Sequence, residues 1–213
     1  MKLYGLNDMV RTDCRDCQGC STCCRGMGDT ILVDPYDTYR MEKGIAKSFE
    51  ELLDNYVELH VEDGLLLPNL RMEDEKNACV FLLEEGRCSI HRDRPGLCRA
   101  FPLGRNYEDG QLHYFLLEDC PMENKTKVKV EKWLGTPDPK TYQEFLIDWH
   151  YFVKDLKNRA AVMAAAPENQ KLKEMNLLFL QTFYIRPYDR KRDFYEQYRE
   201  RREEFCSVLT DCF

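Results

Sequence analysis

The sequence contains no apolar run approaching the roughly 20 residues that a bilayer span requires, and this points away from a membrane partner. Its first ten residues, MKLYGLNDMV, mix polar and apolar side chains and lack the apolar core of an export signal. Internal repeats and low-complexity tracts are absent. No glycine-rich strand–helix loop is present to receive a nucleotide-like cofactor. Together these absences predict a cytoplasmic protein in a reducing compartment.

The remaining composition is that of a folded chain. Its 213 residues are 43% hydrophobic and 32% charged, and they can bury one core or two small ones. Charge is uneven: residues 1–122 carry 14 basic and 23 acidic side chains, and residues 123–213 carry 17 and 15. An acidic first half argues against a nucleic-acid partner, which favours basic surfaces.

Eleven cysteines are the conspicuous presence, and five of them crowd into Cys14 to Cys24. Their odd total and the absence of an export signal disfavour a disulfide scaffold. In a reducing compartment, thiols this close together hold metal or do redox chemistry, whereas scattered cysteines are inert buried thiols.

Local patterns predict an α+β fold: a cysteine-rich domain with short helices and a small antiparallel hairpin over residues 1–122, then a helical region over residues 123–213. Asp34-Pro35 reads as a helix start and Gly44 as its stop. Ser48 and Glu51 form a capping-box pattern ahead of an apolar stripe running to Val57. Residues 79–90 read as a hairpin turning at Glu84-Glu85-Gly86, and 111–117 as a strand. Arg94-Pro95-Gly96 bends into a short helix carrying Cys98. Gly135–Pro139 is the candidate linker. Thr141 with Glu144 opens a long helix ended by Ala166-Pro167, and Leu172, Met175, Leu178 and Phe179 mark the next. Asp193 with Glu196 opens the last. Their aromatic stripes are expected in the core.

The string CRDCQGCSTCC carries the chemistry. Two-residue loops let successive thiolates converge and leave backbone N–H groups for the sulfurs. Adjacent Cys23 and Cys24 tend to diverge, which suggests ligands of neighbouring centres or one ligand beside a supporting thiol. Cys14, Cys17, Cys20 and Cys24 also match the C-x2-C-x2-C-x3-C ferredoxin spacing, although Arg25 replaces the usual proline and no second run exists. The radical-SAM spacing is absent, because Met27 stands where its last cysteine would fall. Cys79 and Cys88 flank the expected hairpin, Cys98 follows, and Cys120 precedes Pro121.

CQGCSTCC, then CVFLLEEGRCSIHRDRPGLCRAFPL, then CP resemble the YkgJ-type cysteine-cluster family of zinc- or iron-chelating proteins, over roughly residues 14–122. The matching cysteines are Cys17, Cys20, Cys23, Cys24, Cys79, Cys88, Cys98 and Cys120, and the resemblance implies that they bind metal. Eight thiolates suffice for two four-cysteine sites or one supported cluster. Cys14 is a possible extra ligand, and Cys206 and Cys212 fall outside the pattern. Arg25, Arg94 and Arg99 follow or lie between cysteines, where guanidinium groups can offset thiolate charge. His91 is spaced as a zinc ligand could be, but relatives commonly carry tyrosine there, so it is read as a non-ligand. His60, His113 and His150 are read as structural.

An extended array with an adjacent pair lies closer to iron–sulfur ligation, of [4Fe-4S] type, than to the paired knuckles of zinc, which is the alternative. The reading is a metal-binding module with metal, and a redox or protein partner, as its ligands, and with no assigned catalytic residue. The same cysteine domain is known from flagellin lysine N-methylases, so methyl transfer is the enzymatic alternative. A thioredoxin-like oxidoreductase is disfavoured because no βαβ setting surrounds Cys17-Cys20.

Overall fold

Asp34 starts the first helix, as its pairing with Pro35 predicts. Its carboxylate accepts the Asp37 amide at 2.8 Å, and the Asp37 side chain accepts the Asp34 amide in return, a reciprocal cap. The computed structural model describes residues 1–13, 20–73, 75, 77–118, 120–122, 125–164 and 170–212, excluding the side chains of residues 13 and 210–212. It has an α+β architecture with a helical C-terminal region. Cys14, Cys17 and Ala166-Pro167 lie outside the described residues, as does the Cys212 side chain.

The chain begins with β1 (Leu3–Tyr4) and β2 (Met9–Asp13), and a 3-10 turn follows at Thr22–Cys24. Helices α1 (Pro35–Ile45) and α2 (Phe49–Asn55) lead into β3 (Val57–Glu62), β4 (Leu65–Leu70), β5 (Met72–Glu73) and β6 (Ala78–Cys79). Helix α3 (Gly96–Ala100) precedes β7 (Leu103–Glu108), β8 (Gln111–Leu116) and β9 (Thr126–Lys129). Helices α4 (Val130–Leu134), α5 (Pro139–Ala164) and α6 (Gln170–Leu180) come next. A π-helical turn (Gln181–Ile185) and α7 (Phe194–Cys212) complete the order. The sheets are small and antiparallel: β1-β8-β7 in that order, and the pairs β2–β9, β3–β4 and β5–β6.

Four local expectations change. Gly44 does not stop α1, which ends at Ala46 in the left-handed conformation. A Cβ at Gly44 would lie 2.6 Å from Asp93 Oδ2, so packing explains the glycine. The Ser48–Glu51 cap is present, but α2 ends at Asn55, and Val57 begins β3 instead of extending the helical stripe. A two-residue Asp63-Gly64 turn with positive φ at both positions joins β3 to β4. Asp138, not Thr141, caps α5: it accepts the Thr141 amide at 3.1 Å and the Thr141 hydroxyl at 2.8 Å, with Pro139 opening the helix. The 79–90 segment turns at Gly86 as expected, yet its ladder shrinks to one bridge between Leu82 and Cys88, while Cys79 pairs with Met72.

The aromatic stripes are core. Phe145, Phe152, Phe179, Phe183, Tyr198 and Phe205 are buried among α5, α6, the π turn and α7. Phe145 meets Tyr198 edge-on at 4.8 Å, and Trp149 stacks on Phe179 at 5.7 Å. This core is continuous with the β-rich half through Tyr36, Val57, Leu65 and Tyr114. Asn176 of α6 adds a polar tie, accepting the Leu66 amide at 2.6 Å and donating to Gly64 O at 3.0 Å. Among the described residues no helix is long and apolar enough to cross a membrane.

Candidate metal centre

Backbone pairing brings the first cysteine segment to the second. The 3-10 turn places Cys23 and Cys24, closed by the Cys24 amide donating to Ser21 O at 2.9 Å. The next two residues join β6: Arg25 bridges Ala78, and the Gly26 amide donates to Asn77 O at 2.9 Å. Cys79 is the following residue, so two segments more than fifty residues apart present their thiols together. The Leu82–Cys88 bridge returns Cys88 to the same place, and α3 supplies Cys98 from a third direction.

The result is a small cavity of about 30 Å³ lined by Cys23, Cys24, Cys79, Cys88 and Cys98. Ile31, Leu70, Met72 and Phe81 make its apolar wall, and Arg94 is the one charged side chain on it. Cys23 and Cys24 do not diverge: both line the cavity and hydrogen-bond each other. A tight 3-10 turn permits this where an extended strand would send neighbours to opposite faces.

Residues 16–127 match the CxxCxxCC family, whose description is "Putative zinc- or iron-chelating domain". The match covers more than half of the chain. The protein belongs to the CxxCxxCC family. No solved structure matches it.

The electrostatics of this CxxCxxCC site keep Cys23, Cys79, Cys88 and Cys98 as neutral thiols at pH 7. Hydrogen bonding to Cys24 and burial push the Cys23 thiol far up, with Arg94 pulling against them. Burial raises Cys79 to about 11 and also raises Cys88 and Cys98. Against that, the Phe81 amide donates to the Cys79 sulfur and the Ile90 amide to the Cys88 sulfur, each two residues on. Such amide donors stabilise thiolates once a metal supplies the compensating charge. The buried Nε–H of Arg94 donates to no group among the described residues, while its Nη1 lies 2.8 Å from His91 Nε2. His91 therefore serves as a partner of Arg94.

The donor chemistry fits a thiophilic metal, and the CxxCxxCC domain is described as chelating zinc or iron. Among the described residues, no group of three or more His, Cys, Asp or Glu side chains is already gathered in metal-holding geometry.

The other candidates lie elsewhere. Cys20 does not line the cavity, and its sulfur is 3.8 Å from Thr22 Oγ1. Cys120 is buried off the cavity, with its carbonyl accepting from Lys125 Nζ at 3.0 Å. Cys206 sits on α7. Arg25 contacts Ser21 Oγ at 3.3 Å. Arg99 turns away from the thiols: buried, it faces Asp37 at 3.9 Å and Tyr142 Oη at 3.4 Å. Asp37 and the wall residues Ile31, Leu70 and Met72 carry no cysteine-like mark in the sequence, although the apolar run of β4, buried at five of its six positions, and the Asp34–Asp37 cap are signals that point to them.

Proposed function

We propose that this protein is a cytoplasmic metal module holding an iron–sulfur cluster, of [4Fe-4S] type, with four ligands drawn from Cys17, Cys20, Cys23, Cys24, Cys79, Cys88, Cys98 and Cys120. The observation supporting this reading is the composition of the cavity wall: five cysteines and Arg94 in an otherwise apolar lining, with no carboxylate or imidazole among the described residues. All-thiolate donors in an apolar shell are the setting of iron–sulfur clusters. The cluster would supply one-electron chemistry. The chain's own residues would hold its sulfurs, exclude water through Ile31, Met72 and Phe81, and offset charge through Arg94, with Arg25 and Arg99 supporting the surrounding loops. Residues 1–122 would form the metal-binding domain, and residues 123–213 a helical region packed on it. Its partner would be a redox protein and not a nucleic acid.

One observation favours zinc as a second reading. A cavity of about 30 Å³ is about the volume of a single water molecule in the liquid. It takes a single ion more easily than a cluster, which would have to spread the 3-10 turn from β6.

Anaerobic purification followed by iron, zinc and acid-labile sulfide quantification decides between them. Iron and sulfide in equal amounts support the cluster. Zinc without labile sulfide overturns it in favour of the mononuclear site.

A further inference from the structure

A second cavity lies across α3 from the cysteines, and neighbouring residues of that helix divide the two: Cys98 lines the first and Leu97 the second. It measures about 600 Å³, within the ~300–1,000 Å³ range of small-molecule sites, and opens among β4, β7, α5 and the π turn. Its walls are apolar and aromatic. Leu67, Leu146, Val153 and Tyr184 line it, and so does Trp149, which stays only half-buried despite its place in the aromatic core.

Polar groups occur at two levels. At the floor, Arg105 donates to Tyr142 Oη at 3.1 Å and stands beside buried Asp34. Burial and the neighbouring Asp37 push the Asp34 carboxyl up. Along one wall the rings of Tyr107 and His150 stack in parallel, 3.9 Å between centroids. Burial and the two nearby lysines hold His150 below its usual range, leaving a neutral ring there at pH 7. At the mouth is exposed Lys154, with Asp63 as the opposing charge, while half-buried Lys157 is already paired with Glu62 at 2.8 Å.

We propose that this cavity binds a small aromatic carboxylate, with its ring between Trp149 and the Tyr107–His150 stack and its acidic group at Lys154. The flat walls select a planar ring, which gains from stacking as well as from burial. The acid goes to the mouth, because Arg105 is engaged with Tyr142 and its Nε is enclosed by protein. This site is independent of the metal bound across α3.

The test is calorimetric titration of the full chain, carrying its metal, with 2-naphthoate and with neutral 2-naphthamide. Saturable one-to-one binding of the acid is expected, with the amide and the Lys154→Glu variant weaker by about tenfold. Val153→Trp, which fills the cavity, is expected to abolish binding while metal content stays unchanged. Absence of saturable binding at millimolar acid overturns the proposal, as does equal affinity for the two probes or full affinity in Lys154→Glu. That last variant changes an exposed side chain, so it remains informative if Val153→Trp does not fold.

Discussion

The Gly96 amide donates to Asp37 Oδ1 at 2.8 Å and so fastens α3, the helix that carries Cys98, to the start of α1. Asp37 also faces the Arg99 guanidinium at 3.9 Å, and both side chains are almost wholly buried. A methyl at Gly96 would overlap Tyr142 Oη and the Arg105 guanidinium, so glycine lets the three groups close around the helix start. A capping carboxylate of α1 thus also positions the helix that carries Cys98.

Asp37→Ala would leave the Gly96 amide and a buried guanidinium without their partner. It is expected to cost about 3–5 kcal/mol in urea denaturation and to lower metal retention. Asp37→Asn keeps an oxygen for Gly96 and is expected to lose less. A loss below about 0.5 kcal/mol for the alanine variant would contradict this role.

The cysteine cavity also predicts a pH dependence in metal-free protein. Cys79 rises from 9.0 to about 11 on folding, chiefly through burial. Between these values the folded chain binds more protons than the unfolded one, so stability falls as pH rises. The contribution is complete below pH 9 and is lost through pH 11, by about 3 kcal/mol for this thiol. Iodoacetamide should modify Cys79 slowly at pH 7 and faster through the same window. Metal binding reverses the logic, since it requires thiolates and releases protons, so affinity should increase with pH.

Single serine substitutions at Cys23, Cys24, Cys79, Cys88 and Cys98 are expected to reduce bound metal, whereas Cys206→Ser on α7 should not. Metal analysis of each purified variant measures this. Unchanged content across all five cavity variants would place the centre elsewhere in the array.

Among the described residues Arg94 meets no carboxylate in the cavity, and its Nε is unpartnered. Arg94→Met should weaken metal affinity by about 10–100-fold, the range seen when groups supporting ligands are removed. His91→Ala should cost less, because it leaves the Arg94 guanidinium on the cavity wall. Competition with a chelator of known affinity gives both values, and the reverse order would show His91 to be a ligand.

Elements governed by short-range chemistry were legible in the chain. The Asp34-Pro35 and Ser48–Glu51 starts follow from local hydrogen bonds, and the long aromatic stripes from helical spacing. The β3–β4 hairpin was not read, because the apolar stripe of α2 runs on through Val57. The signal was present all the same: Asp63-Gly64 and Asp109-Gly110 supply positive φ at both positions of the two-residue turns joining β3–β4 and β7–β8. Asp138 was overlooked as a cap because Thr141 and Glu144 imitate one.

By itself the sequence determined that the protein is α+β, that it belongs with cysteine-cluster chelators and that its thiols are the chemistry, since residue type and spacing are local facts. Tertiary structure alone decided which thiols meet. Pairing of Arg25 with Ala78 carries Cys23 and Cys24 to Cys79, and the 3-10 turn aims both adjacent sulfurs inward. It also turned Arg99 to Asp37 and left Arg94 with the sulfurs, because burying a guanidinium requires a carboxylate partner that only the packing of α1 on α3 could bring.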